Sequence, residues 1–255
     1  MKHQKMAILS KKIYSNKYVD MWLENKFSET SKPGQFVHIF TGSTFFRRPF
    51  SIAGYKKNEF RILFQIKGQG TKKLAETPIG SKLDIIGPIG NCFPVKNPFS
   101  NIYIVAGGIG LAPLLFLASM LIKNKKSFRF FYGAKTKSDL LDFVMPEGNY
   151  ERILSTDDGS FAKKGTIVEM LDKQLDFQKP DVIFSAGPYL MLREISRLCD
   201  RNNIIGYVSL ENIMFCGVGV CQGCVVNTQK GYQRVCTDGP VFNHKDIQWQ
   251  KKPLI

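Results

Sequence analysis

A chain of 255 residues that is 44% hydrophobic and 22% charged can bury a sizeable core, in one large domain or two to three smaller ones. Its formal charge of +15 raises nucleic-acid binding, but the basic residues are scattered, with no cluster longer than two or three and no recognisable nucleic-acid module. The charge therefore reads as a lysine-rich solvated surface or as attraction for phosphate-bearing cofactors or an acidic partner.

The stretch from Met1 to Lys12 has only a brief apolar patch, Met6 to Leu9, too short for a signal-peptide core. Residues 7 to about 97 carry short alternating or β-branched runs broken by Gly, Pro and Asn, such as 34–40, 60–66 and 82–86. This pattern predicts a small antiparallel barrel. Arg48-Pro49-Phe50-Ser51 closes one of its strands, and Gly68-Gln69-Gly70-Thr71 follows another. An arginine fork suits a pyrophosphate. A ring and a hydroxyl suit the face and N5 edge of an isoalloxazine. Gly70 and Thr71 let backbone amides approach phosphate at the start of a short helix expected over 72–76. Singly each motif is weak, since a strand end or a plain turn would look the same. Pro94 and Pro98 mark a linker.

From Asn101 the pattern changes. Ile102 to Val105 predicts a strand covered on both faces, followed by a glycine turn and a helix from Ala112 to Leu121. Further strands are expected at 128–132, 153–155 and 182–185, with helical segments at about 138–143, 165–175 and 188–202. Alternation of this kind predicts a doubly wound parallel sheet. The uncharged run from Ile102 to Ile122 is long enough for a membrane span. Gly107, Gly108, Gly110 and Pro113 in its middle argue for a buried strand and helix instead. No membrane segment and a cytoplasmic location are expected.

Gly107-Gly108-Ile109-Gly110-Leu111-Ala112-Pro113 follows a strand and opens a helix, the setting of a phosphate-binding turn. It is not the G-x-G-x-x-G fingerprint, because Pro113 stands where the third glycine would be. Asp157 and Asp158 follow the third strand, and Gly187 and Pro188 the fourth. Both pairs lie at the sheet edge where ligands of such folds bind. Lys135, Thr136 and Lys137 occupy the position that would read a ribose, so NAD and NADP both remain open there.

Six cysteines in a cytosolic chain are not expected to form disulfides, and their distribution is uneven. Cys216, Cys221 and Cys224 form C-x4-C-x2-C, and Cys236 follows after eleven residues. That is the spacing of a plant-type [2Fe–2S] centre. Gly217, Gly219 and Gly223 let the loop turn sharply and expose its amides to the sulfurs. Tetrahedral zinc would more naturally show paired C-x2-C knuckles, and only one such pair is present. The histidines His3, His38 and His244 show no metal or triad spacing and read as surface or packing residues.

Together, residues 47–51, 68–71 and 106–113 resemble the ferredoxin–NADP reductase superfamily. The cysteine segment narrows the resemblance to the electron-transfer subunits of class 1B dihydroorotate dehydrogenase, over nearly the whole chain. The resemblance implies a β + α/β fold: an FAD-binding barrel over 1–98, an NAD-binding α/β domain over 99–207 and a [2Fe–2S] domain over 208–255. It implicates Arg48, Pro49, Phe50, Ser51, Leu63, Phe64, Gln65, Gly70 and Thr71 in holding FAD, and the four cysteines as cluster ligands. Ser51 is the best candidate for assisting hydride transfer. Phe50 departs from the superfamily's frequent tyrosine. NAD is the implied acceptor. The implied partner is an FMN-containing catalytic subunit in a two-plus-two heterotetramer of pyrimidine biosynthesis, which delivers electrons through [2Fe–2S] and FAD to NAD+. Competing readings are a related subunit serving a hydrogenase or ferredoxin, and a nucleotide-responsive redox sensor.

Overall fold

The computed structural model describes residues 2–28, 30–42 and 45–250. Six antiparallel strands close the first unit: β1 (Lys2–Tyr14), β2 (Tyr18–Glu24), β3 (Phe36–Phe40), β4 (Arg48–Lys56), β5 (Glu59–Gln65) and β6 (Lys82–Ile89). They pair in the order β1-β2-β5-β4-β3-β6, and β6 returns to β1. Alternation decides which side chains fill the barrel. Val19, Met21 and Leu23 of β2 and Val37 and Ile39 of β3 are fully buried in it. Helix α1 (Gln69–Glu76) plugs one end with Leu74 and Ala75. It starts three residues earlier than the 72–76 expected, because the Thr71 hydroxyl accepts from the Lys67 and Gly68 amides and turns the chain there.

The second unit is built on β7 (Ile102–Gly107), β8 (Phe128–Ala134), β9 (Glu151–Thr156), β10 (Lys163–Lys164), β11 (Val182–Ala186) and β12 (Ile205–Ser209). With β15 (Val241–Asn243), they form one sheet in the order β10-β9-β8-β7-β11-β12-β15. All pairings are parallel except the last. Helix α2 (Leu111–Lys123) packs on one face, and α3 (Ile167–Phe177) and α4 (Tyr189–Asn202) pack on the other, so the sheet is doubly wound. The apolar run from Ile102 to Ile122 is thus β7, a glycine turn and most of α2. No helix among the described residues is long and apolar enough to cross a membrane.

The helix expected at 138–143 is absent; two short 3-10 turns, Lys137–Asp139 and Asp142–Val144, stand there. The Tyr132 hydroxyl takes the groups a helix would need, accepting from the Leu141 amide and donating to the Asp139 carbonyl. Strand β12 was not expected. Asn203, in the left-handed conformation at φ 53°, ends α4 and turns the chain directly into it. β12 runs across residue 207. The segment beyond it forms the cysteine loop and the hairpin β13 (Val225–Thr228) and β14 (Gly231–Arg234), then returns to the sheet as β15.

The units are joined by specific contacts. Phe116 of α2 enters the barrel core and stacks near Tyr55. Arg61 of β5 holds Asp20 through two 2.7 Å bonds and reaches the Val144 carbonyl. Lys17 and the Tyr18 hydroxyl both donate to Asp139.

Candidate functional site

A cavity of about 230 Å³ lies where the three segments meet. The barrel contributes Pro49, Phe50 and Ser51 from β4, and Leu63, Phe64 and Gln65 from β5, with Lys67 and Thr71 beyond them. The glycine turn contributes Ile109, and α2 contributes Ala112. Ser209, Leu210, Glu211, Asn212 and Met214 close the far wall with Pro240. Sequence reasoning brought the barrel residues together but missed the 209–214 wall. The signal was available in β12, since the residues just past any parallel strand sit at the ligand edge.

Arg48 lies over α1. A Cβ added to Gly70 would sit 3.5 Å from the Arg48 guanidinium Nε and 3.2 Å from the Thr41 hydroxyl. A guanidinium beside first-turn amides that have no intrahelical acceptor suits an anionic phosphate group. Phe50 packs edge-on against Phe64, with ring centroids 5.1 Å apart, and belongs to the barrel core. It keeps 6% of its surface open. Its ring thus meets the cavity while anchored inside the barrel. Apolar walls with a few polar groups are the usual make-up of a cofactor cavity, and the lining fits the ring end of a flavin. Glu211 is accessible from this cavity, yet protein walls it in closely enough that burial raises its carboxyl above the ordinary range.

The nucleotide-sheet candidates separate into two places. Gly107, Gly110 and Gly187 form a tight crossing between the β7 and β11 turns. A Cβ on Gly110 would lie 2.5 Å from the Ala186 carbonyl, and one on Gly107 would lie 2.4 Å from the Met191 sulfur and 3.0 Å from Pro188. Gly108 faces open space at φ 52°. Pro113 is buried in the first turn of α2. Asp157 and Asp158 are not at this crossing: they follow β9, two strands from β7. Their amides pair with the Ala134 and Lys135 carbonyls. Burial raises the Asp157 carboxyl, with Lys135 opposing; the Ser160 hydroxyl and amide lower that of Asp158.

The cysteine loop packs against the barrel and the sheet together. Cys224 and Cys236 are buried with Phe36, Ile89, Leu210 and Phe242; Cys221 is exposed. Gly217 and Gly219 take φ values of 69° and 82°, which a glycine adopts without strain. The amides of Val218 and Cys221 point at the Cys216 sulfur at 3.4 and 3.5 Å, and that of Gly223 points at the Cys221 sulfur at 3.4 Å. Burial pushes the Cys216 thiol up, but the amide hydrogen bonds outweigh it and bring the thiol down to about 6. Burial and the Cys224 thiol push Cys236 up to about 11. Cys221 is among the neighbours of the Cys216 thiol, and both Cys224 and Cys216 act on that of Cys236, so the four sulfurs belong to one group. Among the described residues no three His, Cys, Asp or Glu side chains converge on a single ion position. Four cysteines at this spacing, with backbone amides turned to the Cys216 and Cys221 sulfurs, fit a two-iron cluster. Cys92 and Cys199 lie outside this group, and Cys199 is a buried core thiol.

Of the histidines, His3 is exposed and pairs with Asp84 at 2.5 Å. His244 is buried against the Ser196 hydroxyl at 3.1 Å. His38 is buried on the outer face of β3, directly beneath the cysteine loop. Burial, then Arg47 and Arg48, hold its imidazole down to about 4.

Residues 211–248 match the family model of the iron–sulfur cluster binding domain of dihydroorotate dehydrogenase B. A relative from Caldanaerobacter subterraneus, the electron transfer subunit of dihydroorotate dehydrogenase B (NAD(+)), is 35% identical over 248 residues, covering 95% of this chain and 97% of that protein. The chain belongs to this family of electron-transfer subunits. Its counterpart from Desulforamulus reducens is 36% identical over 230 residues, covering 86% of this chain and 87% of its own length. Among solved structures, the NADH-dependent reduced ferredoxin-NADP oxidoreductase aligns with a TM-score of 0.85 at 27% identity, over 95% of this chain and 89% of that one. A ferredoxin NADP+ reductase from Neisseria gonorrhoeae, with bound FAD and NADP, shares the fold at a TM-score of 0.64 and 16% identity, over 78% and 92%. The family accounts for a barrel, a nucleotide sheet and a cysteine module meeting at one cavity.

Proposed function

We propose that this chain is the electron-transfer subunit that carries reducing equivalents from a dihydroorotate-oxidising, FMN-containing catalytic subunit to NAD+, in pyrimidine biosynthesis in the cytoplasm. The observation that carries this reading is the meeting of all three segments at one cavity, with the cysteine loop packed on the barrel that lines it. When bound, the cofactors would supply the redox chemistry, a cluster for single electrons, a flavin for one or two, and a nicotinamide for a hydride.

The chain's own residues bind and orient. Cys216, Cys221, Cys224 and Cys236 would hold the cluster, and Arg48, Gly70 and Thr71 the flavin's phosphates. Pro49, Phe50, Ser51, Leu63, Phe64 and Gln65 would surround its ring, with the Ser51 hydroxyl offered to the ring edge. The 107–113 turn, with Gly187 and Pro188, would receive the nicotinamide nucleotide, and Asp157 and Asp158 its outer end. The working division into 1–98, 99–207 and 208–255 follows these roles, with β15 tying the last module to the sheet.

An exposed apolar ridge beside the cysteine loop supports a partner there. Phe45 and Phe46 are in contact, Phe46 meets Phe215 at 4.9 Å, and Val220 is 79% exposed. Gly217 to Val220 and Gln222 would face the catalytic subunit, in a two-plus-two assembly. Anaerobic co-expression with the catalytic subunit, followed by visible spectroscopy and an orotate-production assay with NAD+ and NADP+, tests the reading. Isolation as a lone, fully active NADH oxidoreductase would overturn it. A ferredoxin-linked role is the second reading, favoured by the structural match at a TM-score of 0.85; reduction of ferredoxin without dihydroorotate would support that one instead.

A further inference from the structure

On β3 the side chains alternate. Val37 and Ile39 enter the barrel core, while Phe36, His38 and Phe40 face outward. An outward position on a barrel strand normally meets water, and Phe40 does. Phe36 and His38 do not, because the cysteine module covers them. His38 of β3 pairs with Pro49 of β4, in the Arg-Pro-Phe-Ser strand, and the cluster loop lies against its ring, so it links the two.

Above it lies Gly217. A Cβ at that glycine would be 2.5 Å from His38 Nδ1, nearer than real atoms approach, so the loop backbone rests directly on the imidazole. The Cys216 backbone lies near enough to act on the ring. Neither ring nitrogen makes a bond of good geometry, however. Leaving a buried polar atom unmet costs about 1–3 kcal/mol. An apolar side chain would fill the same space without that cost. The imidazole is explained if its nitrogen meets the Cys216–Gly217 backbone when the loop closes on iron.

We propose that His38 is a positioning residue for the cluster: it hydrogen-bonds the Cys216–Gly217 backbone from the barrel side and so fixes the Cys216 ligand relative to the flavin strand. The proposal rests on the reading of Cys216 as an iron ligand. His38 acts here through a hydrogen bond and not through proton transfer. An N–H directed at the ligand loop favours the extra negative charge of the reduced cluster, so losing it lowers the reduction potential.

The test uses the full chain, purified anaerobically, with His38→Leu and His38→Asn. Asparagine can place an amide where Nδ1 stands; leucine offers only volume. The readouts are the EPR spectrum and midpoint potential of the reduced cluster and the rate of iron loss to a chelator, beside FAD content. His38→Leu should keep FAD, change the EPR signature, lower the potential and lose iron about tenfold faster. His38→Asn should stay near wild type. A leucine variant with the wild-type spectrum and potential overturns the proposal, as does an asparagine variant that behaves like leucine, including one that fails to hold iron. A wild-type chain with no two-iron spectrum overturns the ligand reading itself, whereas a wild-type cluster indifferent to His38 overturns the proposal alone.

Discussion

The side chain of Asn91 bonds the backbone of Val241 in both directions, Oδ1 accepting from its amide at 2.9 Å and Nδ2 donating to its carbonyl at 2.7 Å. One amide group thus acts as a short piece of strand, joining the exit of the barrel to β15, 150 residues later. The Asn91 amide also donates to the Gly239 carbonyl.

Asn91→Ala should leave the Val241 amide and carbonyl without these partners, at a cost of about 1–3 kcal/mol. Denaturant unfolding of the full chain should show a lower midpoint at unchanged slope. An unchanged midpoint would mean the clasp adds nothing.

The glycine crossing makes a sharper contrast. Alanine at Gly110 would meet Ala186 and Gly187 backbone at 2.5 Å, which no rotamer relieves. Alanine at Gly108 meets open space and bears only the strain of φ 52°. Gly110→Ala should therefore lose more than about 2 kcal/mol and slow flavin reduction by NADH. Gly108→Ala should cost about 1 kcal/mol. Stopped-flow absorbance and thermal unfolding of the two variants measure the difference.

Stability should show an acid limb governed in part by Asp139. Burial alone would raise its carboxyl, but Lys17, Tyr18 and Thr136 outweigh that and hold it below the ordinary value. The folded chain therefore binds this proton less readily than the unfolded chain. The contribution is complete above the unfolded value of about 4 and is lost as pH falls through the lower folded value. Asp139→Asn should cost about 1–2 kcal/mol at neutral pH, given that Lys17 is partly in water. It should also flatten the pH dependence below 4, as urea titrations at stepped pH would record.

Iron content separates the two classes of cysteine. Cys216→Ser and Cys236→Ser should abolish the visible cluster bands while FAD absorbance remains. Cys92→Ser should change neither, since that residue lies outside the thiol group. Retention of two irons per chain in the Cys236→Ser protein would contradict the ligand set.

Strong local signals in the sequence correspond to what the chain builds. The fully apolar run at 102–107 became a central strand, and C-x4-C-x2-C became a loop of sharply turned backbone. The failures come from partners outside the segment being read or from an uncommon helix end. The 138–143 stretch has helix-compatible residues, yet Tyr132, Lys17 and Tyr18 capture its polar groups from elsewhere. β12 is five residues long and was hidden behind a helix that ends on an asparagine rather than a glycine. His38 looks like any polar residue of an alternating strand. Only the docking of residue 217, nearly 180 positions later, buries it.

Strand β15 has a consequence for how the molecule is made. Until residue 243 has been synthesised, β12 remains an open edge with unpaired amides and carbonyls, a template for pairing with other chains. The cysteines at 216–236 leave the ribosome before the strand that seals that edge. A chain cut just before the cysteine loop would keep β12 as a raw flank, prone to self-association, and the last segment doubles as the hem of the sheet.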